Sequence, residues 1–160
     1  MTRLLFAAAL MSTAIASEAS ALSCITPTVQ GSFKQADASE AQYVMAVGRI
    51  QLLSGETVPS TGDDPNNRQG YSVKTRFDGK LASATGFDQD ASFPLTVEVG
   101  CIGAWCGGVP LDRMLVFVER RDGENVLVEG PCPLFALKAT PAVVTDAEAC
   151  LTGNCEVPVD

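Results

Sequence analysis

The chain has 160 residues, 11 basic and 19 acidic side chains and a net charge of −8, with six cysteines and no histidine. An acidic chain without a basic cluster speaks against nucleic acid and anionic lipid as partners. Without histidine it lacks the commonest general base, the commonest metal ligand and the usual partner of a Ser or Cys nucleophile, which favours a non-enzymatic role with no catalytic residues and no cofactor.

Residues 1–21 read as a signal peptide. Arg3 supplies a positive start and Leu4 to Ile15 is almost wholly apolar, too short for a membrane span of roughly 20 residues. Ala19-Ser20-Ala21 offers a cleavage site that would leave Leu22 as the first residue. Ala21-Leu22-Ser23 offers a second, leaving Cys24 with a free amine. A third reading acylates Cys24 as a lipoprotein, against the charge of Glu18 and with Ala21 at the offset where leucine is usual. In all three the remainder is a single domain, 22–160 by the first site, in a periplasmic or secreted setting, without a transmembrane segment and as a monomer.

Period-two alternation dominates the middle of the chain. The first strand runs from Gln42 to about Leu53 and is apolar on both faces, with Gly48 as a bend. Such a strand suits a coiled element shared by two layers. Ser54 to Gly70 is a polar loop rich in Gly, Pro, Asp and Asn. Its Asp63-Asp64-Pro65-Asn66-Asn67 run has oxygen ligands but not EF-hand spacing, and reads as a solvated turn.

The second strand places Tyr71, Val73, Thr75 and Phe77 inward, with Asp78-Gly79 as a turn or bulge before Leu81 and Ala82. The third places Phe93, Leu95, Val97, Val99 and Cys101 on one face, with Pro94 at the strand start or an edge. The fourth (Met114 to Glu119) and fifth (Asn125 to Glu129) flank Arg121-Asp122-Gly123-Glu124, a hairpin signal. Arg120-Arg121 is the one adjacent basic pair and reads as a solvated hairpin tip. Gly130-Pro131-Cys132-Pro133 ends the fifth strand. Beyond it the tail, 133–160, reads as irregular, with Thr145 capping a short helix over Asp146 to Ala149.

Five strands with a long first strand and a long first loop fit an all-β, oligonucleotide/oligosaccharide-binding-type barrel over about 41–132, followed by a disulfide-tied tail. A small β-sandwich is the alternative.

Downstream of a leader, Cys24, Cys101, Cys106, Cys132, Cys150 and Cys155 are read as disulfides. Their spacing is not that of a zinc site, and no metal is expected. Trp105-Cys106-Gly107 starts like a thioredoxin motif, but Val109 stands where the resolving cysteine would be. Six cysteines admit many pairings; the scheme expected is Cys150–Cys155 as a local tie, Cys24–Cys101 and Cys106–Cys132. Trp105, the sole tryptophan, either packs on a disulfide or stands exposed as an interaction anchor.

Cys24, Pro27, Phe33-x2-Ala36, a long apolar first strand and a cysteine-linked tail together resemble the netrin-like modules, whose best-known members are the tissue inhibitors of metalloproteinases. Cys101-Ile102-Gly103-Ala104-Trp105-Cys106-Gly107 with Gly130-Pro131-Cys132 is also similar to uncharacterised secreted bacterial proteins. The netrin resemblance implies an OB-type barrel and, in its inhibitor branch, chelation of a protease zinc by the amine and carbonyl of an N-terminal cysteine. Here that residue is Cys24, provided cleavage falls after Ser23; the family's C-x-C start is replaced by Cys24-Ile25-Thr26. The function expected is an exported binding domain of the cell envelope, its partner a protein or envelope component, with metalloprotease inhibition as the alternative.

Overall fold

The computed structural model describes residues 23–64 and 66–156, so the expected leader and the residues around its cleavage sites before Ser23 lie outside the described part, as does Pro65. The elements in chain order are α1 (Val29–Asp37), β1 (Gln42–Leu52), β2 (Tyr71–Ser83), β3 (Gly86–Val99), β4 (Cys101–Ile102), β5 (Trp105–Cys106), β6 (Arg113–Arg121), β7 (Glu124–Glu129), β8 (Ala136–Lys138) and α2 (Pro141–Leu151).

Five strands pair into a ring. β1 runs antiparallel to β2, β2 to β3, and β7 to β6, while β6 closes back on β1 from Gln42↔Arg120 to Arg49↔Arg113. The remaining contact, β3 to β7, is parallel from Thr96↔Val126 to Val99↔Glu129. This is the OB-type connectivity expected from the sequence, not a pair of stacked sheets. The ring is not a clean barrel. β7 meets β6 at Glu119–Arg121 only, and β8 takes Met114–Val116 of the same edge.

The two-faced apolar character of β1 has a direct cause. Ala46 and Ile50 enter the barrel core with Val73, Phe77, Leu95, Val97 and Leu127. Met45 and Val47 enter a second core outside the barrel, with Leu115 and Phe117 of β6 and Val29, Ala147 and Cys150 of the helices. The outer face of β1 and β6 is therefore dry because α1 and α2 cover it. Gly48 and Gly79 are register partners where β1 crosses β2, and a Cβ on either would overlap the other strand's backbone.

The Asp122-Gly123 turn has both residues at positive φ (51° and 85°), as a two-residue hairpin of this twist needs. Pro94 sits inside β3 and not at its start. Its carbonyl accepts Asn125 Nδ2 (3.0 Å), so its nitrogen faces the same edge, just ahead of the ladder that begins at Thr96. The missing N–H therefore costs no ladder bond.

The tail is more regular than expected. α2 begins at Pro141 with Thr140, not Thr145, as its N-cap, the Thr140 hydroxyl accepting Val143 N–H at 3.3 Å. Proline at the first helical position loses no bond, since that N–H has no intrahelical partner. β8 adds a short strand before it.

The cysteines pair as Cys24–Cys132, Cys101–Cys106 and Cys150–Cys155. The local tie is as expected. The expected Cys24–Cys101 and Cys106–Cys132 pairings are wrong, because β3 stops at Val99. Beyond Gly100, Cys101 leaves the sheet to face Cys106 as a register partner in a separate two-stranded hairpin. Cys101 is half-buried there, not a core residue of the third strand. No described helix is long and apolar enough to cross a membrane.

Candidate functional site

The β4–β5 hairpin is too short to hold itself by backbone bonds alone. The Cys101–Cys106 disulfide closes it, and Gly103 at positive φ (57°) makes its turn. Ile102 and Trp105 face one another as register partners at its tip. They are 64% and 49% exposed, so Trp105 is not packed away against the disulfide. The long first loop touches this tip: Arg68 N–H donates to the Gly103 carbonyl at 2.9 Å.

The base of the hairpin stands on the end of β7. Gly100 N–H donates to the Glu129 carbonyl (2.9 Å), and Gly107 N–H donates to the Gly100 carbonyl (3.0 Å). A Cβ at Gly107 would overlap the carbonyl oxygens of Glu129 and Gly130. Two residues beyond Gly130, Cys132 holds Cys24, and the adjoining Ile25 is 93% exposed. The disulfide-tied N-terminal segment, the Gly130–Cys132 corner and the Trp105 hairpin thus all join the chain at the end of β7.

Glu129 itself is buried (2% exposed), and its Oε1 has no hydrogen-bond partner. Burial pushes its carboxyl up to about 8. Sequence reasoning missed this residue because it ends an apolar strand and reads there as a solvated acid. The usable signal is its spacing of two from Leu127 and its place before Gly130-Pro131.

The other sequence candidates lie apart from this end or are already engaged. Asp64 Oδ1 accepts Asn66 N–H (2.8 Å), so its carboxylate closes its own turn. Arg121 pairs with Glu98 (2.9 Å) and Glu119 (2.8 Å), and Arg120 bonds Asn125 and lies over the Phe93 ring. The guanidinium beside Glu119 holds that carboxyl below its usual range. Among the described residues no group of three or more His, Cys, Asp or Glu side chains is placed to hold a metal. A cavity of about 450 Å³ opens elsewhere, between α1, β1 and α2, with Phe33, Asp37, Tyr43, Phe117 and Leu151 in its lining. It is a gap in the second core and brings no set of reactive groups together.

Comparison of the chain with family models, curated proteins and solved structures gave no match.

Proposed function

We propose that this is an exported, non-enzymatic binding domain of the cell envelope that holds a protein or envelope component through the Trp105 hairpin. The observation that carries the reading is a half-exposed tryptophan beside a largely exposed isoleucine on a covalently closed hairpin. A tryptophan costs little rotamer entropy on binding, and a hairpin closed by a disulfide costs little backbone entropy. Three disulfides suit an oxidising compartment. The Cys24 sulfur is bonded to Cys132 and has no valence left for a lipid thioether, which favours a mature form without an anchor. The domain works as a monomer in this reading.

The test is affinity capture from envelope extract with wild type, Trp105→Ala and Ile102→Ala. A partner retained by wild type and lost by both variants supports the reading; identical partner profiles overturn it.

The metalloprotease-inhibitor alternative draws on one observation: Cys24 is exposed while its sulfur is tied to the barrel end, which leaves its backbone presented to a partner. It requires the mature chain to start at Cys24. Intact mass of the exported protein decides this, and a mass beginning at Leu22 removes the mechanism.

A further inference from the structure

Glu129 is the one buried acid or base among the described residues, and the geometry around it ties it to the hairpin. Its side chain points into the barrel. It lies beside Val99 in parallel register and two residues beyond Leu127, and both of those enter the barrel core. Tyr71 flanks Val99 on the other side, so Tyr71, Val99 and Glu129 form one inward rung across three strands. The carbonyl of the same residue accepts the Gly100 N–H at one end of the hairpin, and at the other end Gly107 packs so close to that carbonyl that a Cβ would overlap it.

The neighbouring elements offer no cation to that carboxyl. On β3, Val97 and Val99 face inward, and Glu98 faces out to Arg121. From β2 the inward titratable group is the Tyr71 phenol, itself pushed up by burial. Residues 100–111 carry no charged side chain, and Asp112 is engaged by Arg113 N–H (2.7 Å) and Arg49 (4.0 Å). Neither 130–133 nor 23–28 holds an acid or base. On β6, Glu119 pairs with Arg121 and Arg120 lies outside against Phe93 and Asn125.

We propose that Glu129 is a proton-operated latch for the Trp105 hairpin: the neutral carboxyl keeps the barrel end shut and the hairpin seated, and ionisation drives the carboxyl toward water and unseats it. An anion with no partner in a dry barrel end is strongly disfavoured, whereas an opened end lets water reach it. One hairpin end is hydrogen-bonded through Gly100 to the residue that must move, and the other, at Gly107, packs against it and is bonded in turn to Gly100. As regulation of the binding element, the latch rests on the reading given under Proposed function; its own mechanics need no partner.

Hydrogen exchange of the Gly100 and Gly107 amides in the mature wild-type chain tests it. Base catalysis alone speeds exchange about tenfold per pH unit; opening linked to loss of one proton adds about tenfold more per unit between the ordinary glutamate range and about pH 8. Glu129→Gln and Glu129→Met remove the extra slope. Both keep the α-amine that leader cleavage would create, so that group cannot account for the difference. Where neither variant folds, the wild-type carboxyl decides by ¹³C NMR: a midpoint near 8 supports the latch, and one in the usual glutamate range overturns it. Equal exchange slopes in wild type and variants also overturn it. Loss of the extra slope together with partner capture that ignores Trp105→Ala would leave the latch standing and sink the binding reading.

Discussion

Gly48 and Gly79 face each other across the β1–β2 ladder, and neither has room for a β-carbon. A methyl at Gly48 would strike the Asp78 carbonyl and the Phe77 ring, one of the most deeply buried side chains. Gly79→Ala is therefore expected to destabilise the fold by about 2–3 kcal/mol in urea unfolding, since a strand backbone cannot step aside as a side-chain tip can. Gly100→Ala is the control. A Cβ there meets open space, and the expected change is within about 0.5 kcal/mol.

Glu129 gives stability an unusual dependence on pH. Its folded-state carboxyl titrates near 8, well above its range in an unfolded chain. Between those values the unfolded chain has released a proton that the folded chain keeps, so stability falls as pH rises. The slope is at most about 1.4 kcal/mol per pH unit, and it flattens above pH 8. Thermal melts of wild type and Glu129→Gln are expected to diverge from pH 5 to about pH 8 and to run parallel above it, with the variant the flatter. Curves parallel throughout would contradict the assignment.

The three disulfides differ in what they constrain. Cys24–Cys132 spans 108 residues of sequence, and Cys101–Cys106 spans five. In the chain-entropy treatment the long closure contributes about 5 kcal/mol and the short one about 2 kcal/mol. Replacing Cys24 and Cys132 together by serine is expected to cost clearly more than the same change at Cys101 and Cys106, read as denaturation midpoints. Peptide mapping without reduction should recover the Cys24 and Cys132 peptides as one species.

Trp105 and Leu127 separate binding from folding. Trp105→Ala removes a half-exposed side chain and should change stability by less than about 1 kcal/mol. Leu127→Ala empties a fully buried site in the barrel core and should cost about 2–5 kcal/mol. Denaturation of both variants beside the capture assay shows whether a lost partner reflects a lost anchor or a lost fold.

Much of the barrel was legible in the sequence, and what was hidden has physical reasons. Tyr71 to Phe77 and Phe93 to Val99 alternate because one face meets the core and the other meets water. The first half of β3 escaped notice because Asp88, Gln89 and Asp90 are all exposed, leaving no apolar face to betray a strand. Helix α1 was missed because its buried side includes Gln30 and Ser32, which interrupt the apolar period. Ser32 is fully buried and its hydroxyl donates to the Leu134 carbonyl (2.5 Å), so a polar residue fills a core position there. The pairing of the cysteines depends on where β3 stops: it ends at Val99, a boundary that the unbroken alternation from Phe93 through Cys101 does not mark. Glu129 was hidden for the opposite reason: its residue type argues for the surface, although its spacing of two from Leu127 puts it on the inward face of β7.

The pairing also bears on how the protein comes to be made. A chain that enters an oxidising space N-terminus first presents Cys24, then Cys101, and only later Cys106 and Cys132. An oxidase that joins thiols in their order of arrival would link Cys24 to Cys101, which the folded protein does not contain. Cys24 must wait until more than a hundred further residues have followed it, or have its first bond undone. If the chain is exported as proposed, its maturation would gain from a catalyst that reshuffles disulfides and not only from one that forms them.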